Sequence, residues 1–133
     1  MSYDMALVAL QAKLYKQAAE YAKQELQGNP GHLPSMRILA ASLYLLQRLN
    51  EAEKVLRDIL AIDANYAQGF YLLSCVYSSR IKPEETQYFA KQALLLAPDN
   101  AHYVAQLARS ELMKANWQRG MELLDRATSL DPH

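Results

Sequence analysis

The stretch LLLAPDN, residues 94–100, sets three leucines in line against a proline and two turn-forming residues, and TSLDPH, residues 128–133, is a near copy. Proline has no N–H to give a helix and clashes with the carbonyl one turn back, so each copy reads as a helix stop, and a neighbouring Asn or Asp can cap the helix that follows. Counting back thirty-four residues from Pro132 reaches Pro98, then Ala64 in AIDANY, then Pro30 in QGNPGH. A spacing recovered three times over is the mark of an internal repeat. Ala64 lacks the proline, but Asp63 and Asn65 beside it carry the turn chemistry.

Between stops, each unit reads as two short helices. The spacing predicts first helices near 2–13, 33–46, 67–79 and 101–114, and second helices near 15–27, 49–61, 83–96 and 117–129. Apolar residues recur at three and four, as in Leu39, Leu43 and Leu46. Pro34 and Pro83 fall in a first turn, where proline is tolerated, and Glu84 and Glu85 favour a positive helix start. No alternating pattern competes, so the fold expected is all-α.

Small residues keep the same period. Ala6, Ala40, Ser74 and Ala108 stand in mid first helix, and Ala18, Ala52, Thr86 and Gly120 stand early in the second. Late in the second helix come Glu25, Ile59, Ala93 and Ala127, the first of which breaks the small or apolar pattern. Small side chains let two helix axes approach, while Leu39, Leu73, Leu107, Leu56 and Leu124 fill the space beside them.

Composition excludes several functions. The chain of 133 residues is 51% hydrophobic and 21% charged, which suits about one globular domain. Lys plus Arg equals Asp plus Glu at 14 each, and the basic residues are scattered, so no concentrated face is available for nucleic acid. One cysteine, Cys75, rules out an internal disulfide and a cysteine-based metal cluster. His32, His102 and His133 have no metal-ligand spacing, and GNPG, residues 28–31, is not followed by the Gly-Lys-Ser/Thr of a phosphate loop. No apolar run is long enough to span a bilayer. The opening MSYDMALVALQAK is not a secretion signal, so a cytoplasmic location is the default. No catalytic residue, cofactor or metal is expected.

The thirty-four-residue period with its small-residue register resembles the tetratricopeptide repeat family, over nearly the whole chain and as four units of about 1–32, 33–66, 67–100 and 101–133. The family's early aromatic is Phe70 in the third unit but Met36 and Val104 elsewhere, and its later tyrosine is Tyr77 alone. The resemblance implies a right-handed α-solenoid, an α-α superhelix of helix–turn–helix repeats, and the ends of the array suggest a fragment of a longer protein.

It also implies a concave groove lined by the first helices, holding a peptide or a helix from a partner protein. A stripe at three–four spacing places Tyr3, Leu7 and Leu10 there, then Arg37, Ala41 and Tyr44, then Gln68, Tyr71, Cys75 and Ser78, then His102, Ala105, Arg109 and Leu112, with Gln106 beside them. Tyrosine and arginine are enriched where binding energy concentrates. The family's clamp for a chaperone's terminal carboxylate needs lysines, asparagines and an arginine at set positions. The first three units offer Tyr3, Leu7, Ile38, Gln68 and Leu72 there, and the last three offer Arg37, Ala41, Leu72, His102 and Gln106. Neither set makes the clamp, so a ligand with apolar anchors and an acidic group for Arg37 or Arg109 is the better fit. The expected function is a non-catalytic scaffold for protein partners. The alternative is self-assembly through exposed terminal faces carrying Met121, Leu124 and Leu130.

Overall fold

Eight helices follow one another in a computed structural model of the chain, which describes residues 2–131. They are α1 (Ser2–Gln11), α2 (Tyr15–Gly28), α3 (Leu33–Leu45), α4 (Leu49–Ile62), α5 (Ala67–Ser79), α6 (Pro83–Leu96), α7 (Ala101–Met113) and α8 (Trp117–Leu130). No strand occurs among the described residues. Pro132, the last of the expected stops, and His133 lie outside them.

Every second helix ends alike. Asn29, Asp63, Ala97 and Asp131 donate their N–H to the carbonyl four residues back at 2.9–3.0 Å, and their φ values of −145°, −136°, −146° and −144° leave the helical range. In three of these the next residue is proline, which bars the α region to the residue before it. Asp63 reaches the same geometry without one, its Oδ1 accepting from the Asn65 N–H at 3.0 Å. The following helix is side-chain capped at α7, where Asn100 Oδ1 accepts from the N–H groups of His102 and Tyr103 at 3.0 and 3.2 Å. It is not so capped at α3. There His32 holds the position that Asn100 holds before α7, and its ring nitrogen Nδ1 sits 2.6 Å from Ser35 Oγ.

The turn inside each pair also repeats. Lys13, Gln47, Ile81 and Ala115 all take positive φ, between 58° and 63°, and they stand thirty-four residues apart. Each donates to the carbonyl three residues back, at 3.0, 2.9, 3.0 and 3.0 Å. The next residue in each case, Leu14, Arg48, Lys82 or Asn116, donates to the carbonyl five back at 2.8–3.0 Å. This is the doubly bonded Schellman stop, in which a left-handed residue reverses the chain.

The helices gather into two compact units, Met1–Tyr66 and Ala67–His133. In the first, each helix packs on the next and α1 also meets α3; in the second, the same pattern joins α5 to α8, with α5 meeting α7. The small-residue positions explain this packing. Ala6, Ala40, Ser74 and Ala108 are fully buried, as are Ala18, Ala52 and Thr86. A methyl placed on Gly120 would stand 2.5 Å from Leu112 Cδ2 and 2.8 Å from its Cγ, so α7 and α8 approach too closely there for a Cβ. Around these contacts Ile38, Leu56 and Ile59 in the first unit, and Leu73, Val76 and Val104 in the second, are sealed from water. Each such side chain contributes about 1.5–3 kcal/mol. Glu25 finds its own use, since its carboxylate accepts the Tyr3 N–H at 3.3 Å, at the positive start of α1.

Candidate functional site

The stripe residues fall on the first helices of each pair, which meet one another inside each unit. In unit 1, Tyr3, Leu7, Arg37, Ala41 and Tyr44 are all half-buried on α1 and α3. Tyr3 sets its ring edge against His32 with centroids 5.2 Å apart. A residue absent from the stripe completes this surface. The Tyr66 hydroxyl hydrogen-bonds Arg37 and feels Tyr3 and Asp63, and burial raises its pKa above the usual phenol value against the opposing pull of the Arg37 guanidinium. Arg37 is therefore engaged within its own unit. Neither spacing nor composition pointed to Tyr66, although it stands one period before the capping residue Asn100.

In unit 2 the surface is more open, with Gln68, His102 and Arg109 exposed. Tyr71 on α5 lies 5.2 Å from the Tyr103 ring and 6.4 Å from the His102 ring of α7, centroid to centroid. Gln68 and His102 are exposed, and Tyr71 is half-buried. Cys75 and Gln106 are 7% and 5% exposed, so they form the floor of this patch and its accessible wall belongs to their neighbours. Burial pushes the Cys75 thiol above its ordinary pKa, opposed by a hydrogen bond with Tyr71 and the charge of Arg109. A thiol held neutral in this way is a poor nucleophile. Arg109 itself is exposed and forms no ion pair among the described residues. The side-chain nitrogen of Gln106 is buried without a hydrogen-bond acceptor. Unit 2 thus brings Tyr71, Cys75, His102 and Arg109 together, with Tyr103 as a ring partner the stripe omits. Leu112 turns instead toward Gly120 and α8.

Among the described residues no cluster of three His, Cys, Asp or Glu could hold a metal ion, and no helix is long and apolar enough to cross a membrane. A shallow cleft of about 410 Å³ beside the start of α8 is lined by Glu111, Asn116, Trp117 and Arg119 among others. It is apart from the stripe.

Residues 9–74 match the family model described as tetratricopeptide repeat. Among curated proteins, the protein O-mannosyl-transferase Tmtc3 of Drosophila melanogaster is 28% identical over 118 residues, which is 86% of this chain but 13% of that protein. The chain therefore spans a small part of that relative. Among solved structures, the thermophilic tetratricopeptide-repeat protein TTC0263 of Thermus thermophilus superposes with a TM-score of 0.88 at 22% identity, over 98% of this chain and 73% of that one. YrrB, described as a tetratricopeptide-repeat protein with an unusual peptide-binding site, gives 0.78 at 17% identity over 98% and 68%. At these identities the likeness is one of fold, and the fold is the four-repeat helical array that the sequence period implied.

Proposed function

We propose that this chain, which carries tetratricopeptide repeats, is a non-catalytic scaffold that holds a segment of a partner protein against its first helices. The observation that carries this reading is the unit 2 patch: ring surface from Tyr71 and His102 beside an exposed guanidinium, Arg109, that no carboxylate among the described residues occupies. An unpaired arginine next to aromatic faces suits a peptide that offers an apolar side chain and a carboxylate within a few residues. Arg37 is the weaker candidate for that carboxylate, because the Tyr66 hydroxyl already engages it. YrrB, with the same fold, is described by its peptide-binding site, which supports a peptide as the guest.

The test is recovery of partners from native lysate by the wild-type chain, by Arg109→Glu and by a Tyr71→Ala, Arg109→Glu double variant. Arg109 is exposed, so its reversal leaves the helical circular dichroism unchanged. The expected result is loss of a specific partner with Arg109→Glu and no lesser loss with the double variant. Equal recovery by all three would move the site off this patch.

A further inference from the structure

We propose that the outward face of α6 docks on α6 of a second copy of this chain, the two helices antiparallel about a two-fold axis beside Tyr88. The contact lies on a second helix, so it is separate from the peptide patch and does not rest on it. Comparison of the four repeats exposes it. The positions of Ile81, Tyr88 and Leu95 are held by Lys13, Glu20 and Gln27 in the first repeat, by Gln47, Lys54 and Ala61 in the second and by Ala115, Glu122 and Ser129 in the fourth. All of these residues are exposed, so the repeat architecture itself leaves this face to solvent in every unit. Only the third repeat makes it large and apolar: Ile81 is 77% exposed, Tyr88 57% and Leu95 75%. Tyr88 and Leu95 stand two turns apart along one line of the helix, and Ile81 stands in the turn that leads into it. The Tyr88 ring is steadied edge-on against the buried Phe89, with centroids 5.1 Å apart, which makes it a preset anchor. Ile81 keeps a β-branched side chain at a φ of 58° with little of its own chain covering it, a cost that a contact from outside offsets.

The flanking charges choose the occupant and its direction. Helix geometry puts Glu84 and Lys91 along one side of the Tyr88–Leu95 line, and Glu85 and Gln92 along the other. A two-fold axis beside Tyr88 brings like sides of the two helices together in reversed order. Lys91 then stands beside Glu84 of the second copy, and Gln92 beside its Glu85, each contact being made twice. Leu95, about 10 Å along the helix from Tyr88, reaches the turn ahead of the second copy's α6, where Ile81 is exposed. Lys91 makes no ion pair in its own chain among the described residues. The Glu84 side chain is 75% exposed even with Lys114 at 2.9 Å, so it has room for a second cation. Parallel pairing instead sets Glu84 against Glu85 of the other copy, twice over, and gives Lys91 only Gln92. Like charges then face each other, which disfavours it. A face that is apolar along its centre and opposite in charge toward its two ends is complementary to itself when reversed.

Sedimentation equilibrium of the intact chain, taken to about 1 mM, tests this, since a contact with so few anchors is of the small, weak kind. The wild-type mass is expected to rise from 15.1 kDa toward twice that value and to stop there, because a two-fold contact uses up its own face. Leu95→Glu stays monomeric; the residue is exposed, and circular dichroism checks that the helices are kept. Direction is read from Lys91→Glu and Glu84→Lys, both at exposed positions. Each alone sets like charges across the contact and dimerises several-fold more weakly than the wild type. Mixed one to one, they place opposite charges at both sites and recover at least the wild-type association. A wild type that is monomeric to that concentration overturns the proposal and leaves the ridge to a different protein. So does a dimer that Leu95→Glu leaves intact, or a mixture that associates no better than its components.

Discussion

Ile81 carries 77% of its surface in water at a φ of 58°, a conformation that a β-branched side chain adopts only under strain. The surrounding Schellman bonds hold it there, and burial of its side chain does little to compensate. Replacing it with glycine removes the clash between Cβ and backbone, at some cost in unfolded-chain entropy. The expected outcome for Ile81→Gly is a net stabilisation of about 1 kcal/mol, read as a higher melting temperature; an unchanged or lower one would contradict the strain. Nothing in the sequence announced these turns. A left-handed stop is normally signed by glycine or asparagine, and here the four positions hold Lys13, Gln47, Ile81 and Ala115. The same scale separates the two arginines of the stripe. Arg37 and Arg109 look alike in the sequence, but Tyr66 holds the first, and only the fold brings that hydroxyl within reach.

At the scale of helices and turns the period was highly legible. The predicted ends of all eight helices fall within two residues of those observed. The reason is that the stop between units is local chemistry: an extended residue before a proline, or an Asp folding back on its own backbone. Ala64 is the place to exploit this. The turn around it closes through the N–H groups of Asp63, Asn65 and Tyr66, at 2.9, 3.0 and 3.2 Å, and the Ala64 position corresponds to Pro30 and Pro98. Ala64→Pro is therefore expected to stabilise the chain by about 0.4–1 kcal/mol, by restricting the unfolded state. Chemical denaturation gives the value, and a loss of stability would show that this turn differs from the other two. The joints between helices were only half legible. The small-residue register foresaw where axes approach, but not that Leu112 would fill the space left by Gly120, nor that Glu25 would serve the start of α1.

For the whole molecule, the repeat reads directly from spacing, whereas the partner does not, because a binding patch is defined by side chains from two helices and by which of them remain unengaged. Tyr71, His102 and Arg109 were on the stripe for their spacing alone; the structure adds that they stand together above a floor of Cys75, Tyr103 and Gln106. The central claim is that the first-helix side of the repeats is where a partner polypeptide lies. Site-specific photocrosslinking tests it most directly, with a benzophenone side chain placed at position 71 on α5 or at position 88 on α6, where Tyr88 is an exposed tyrosine on a second helix. The account predicts a discrete adduct with another protein from position 71 and no such adduct from position 88. An adduct with another protein from position 88, with none from position 71, would contradict it.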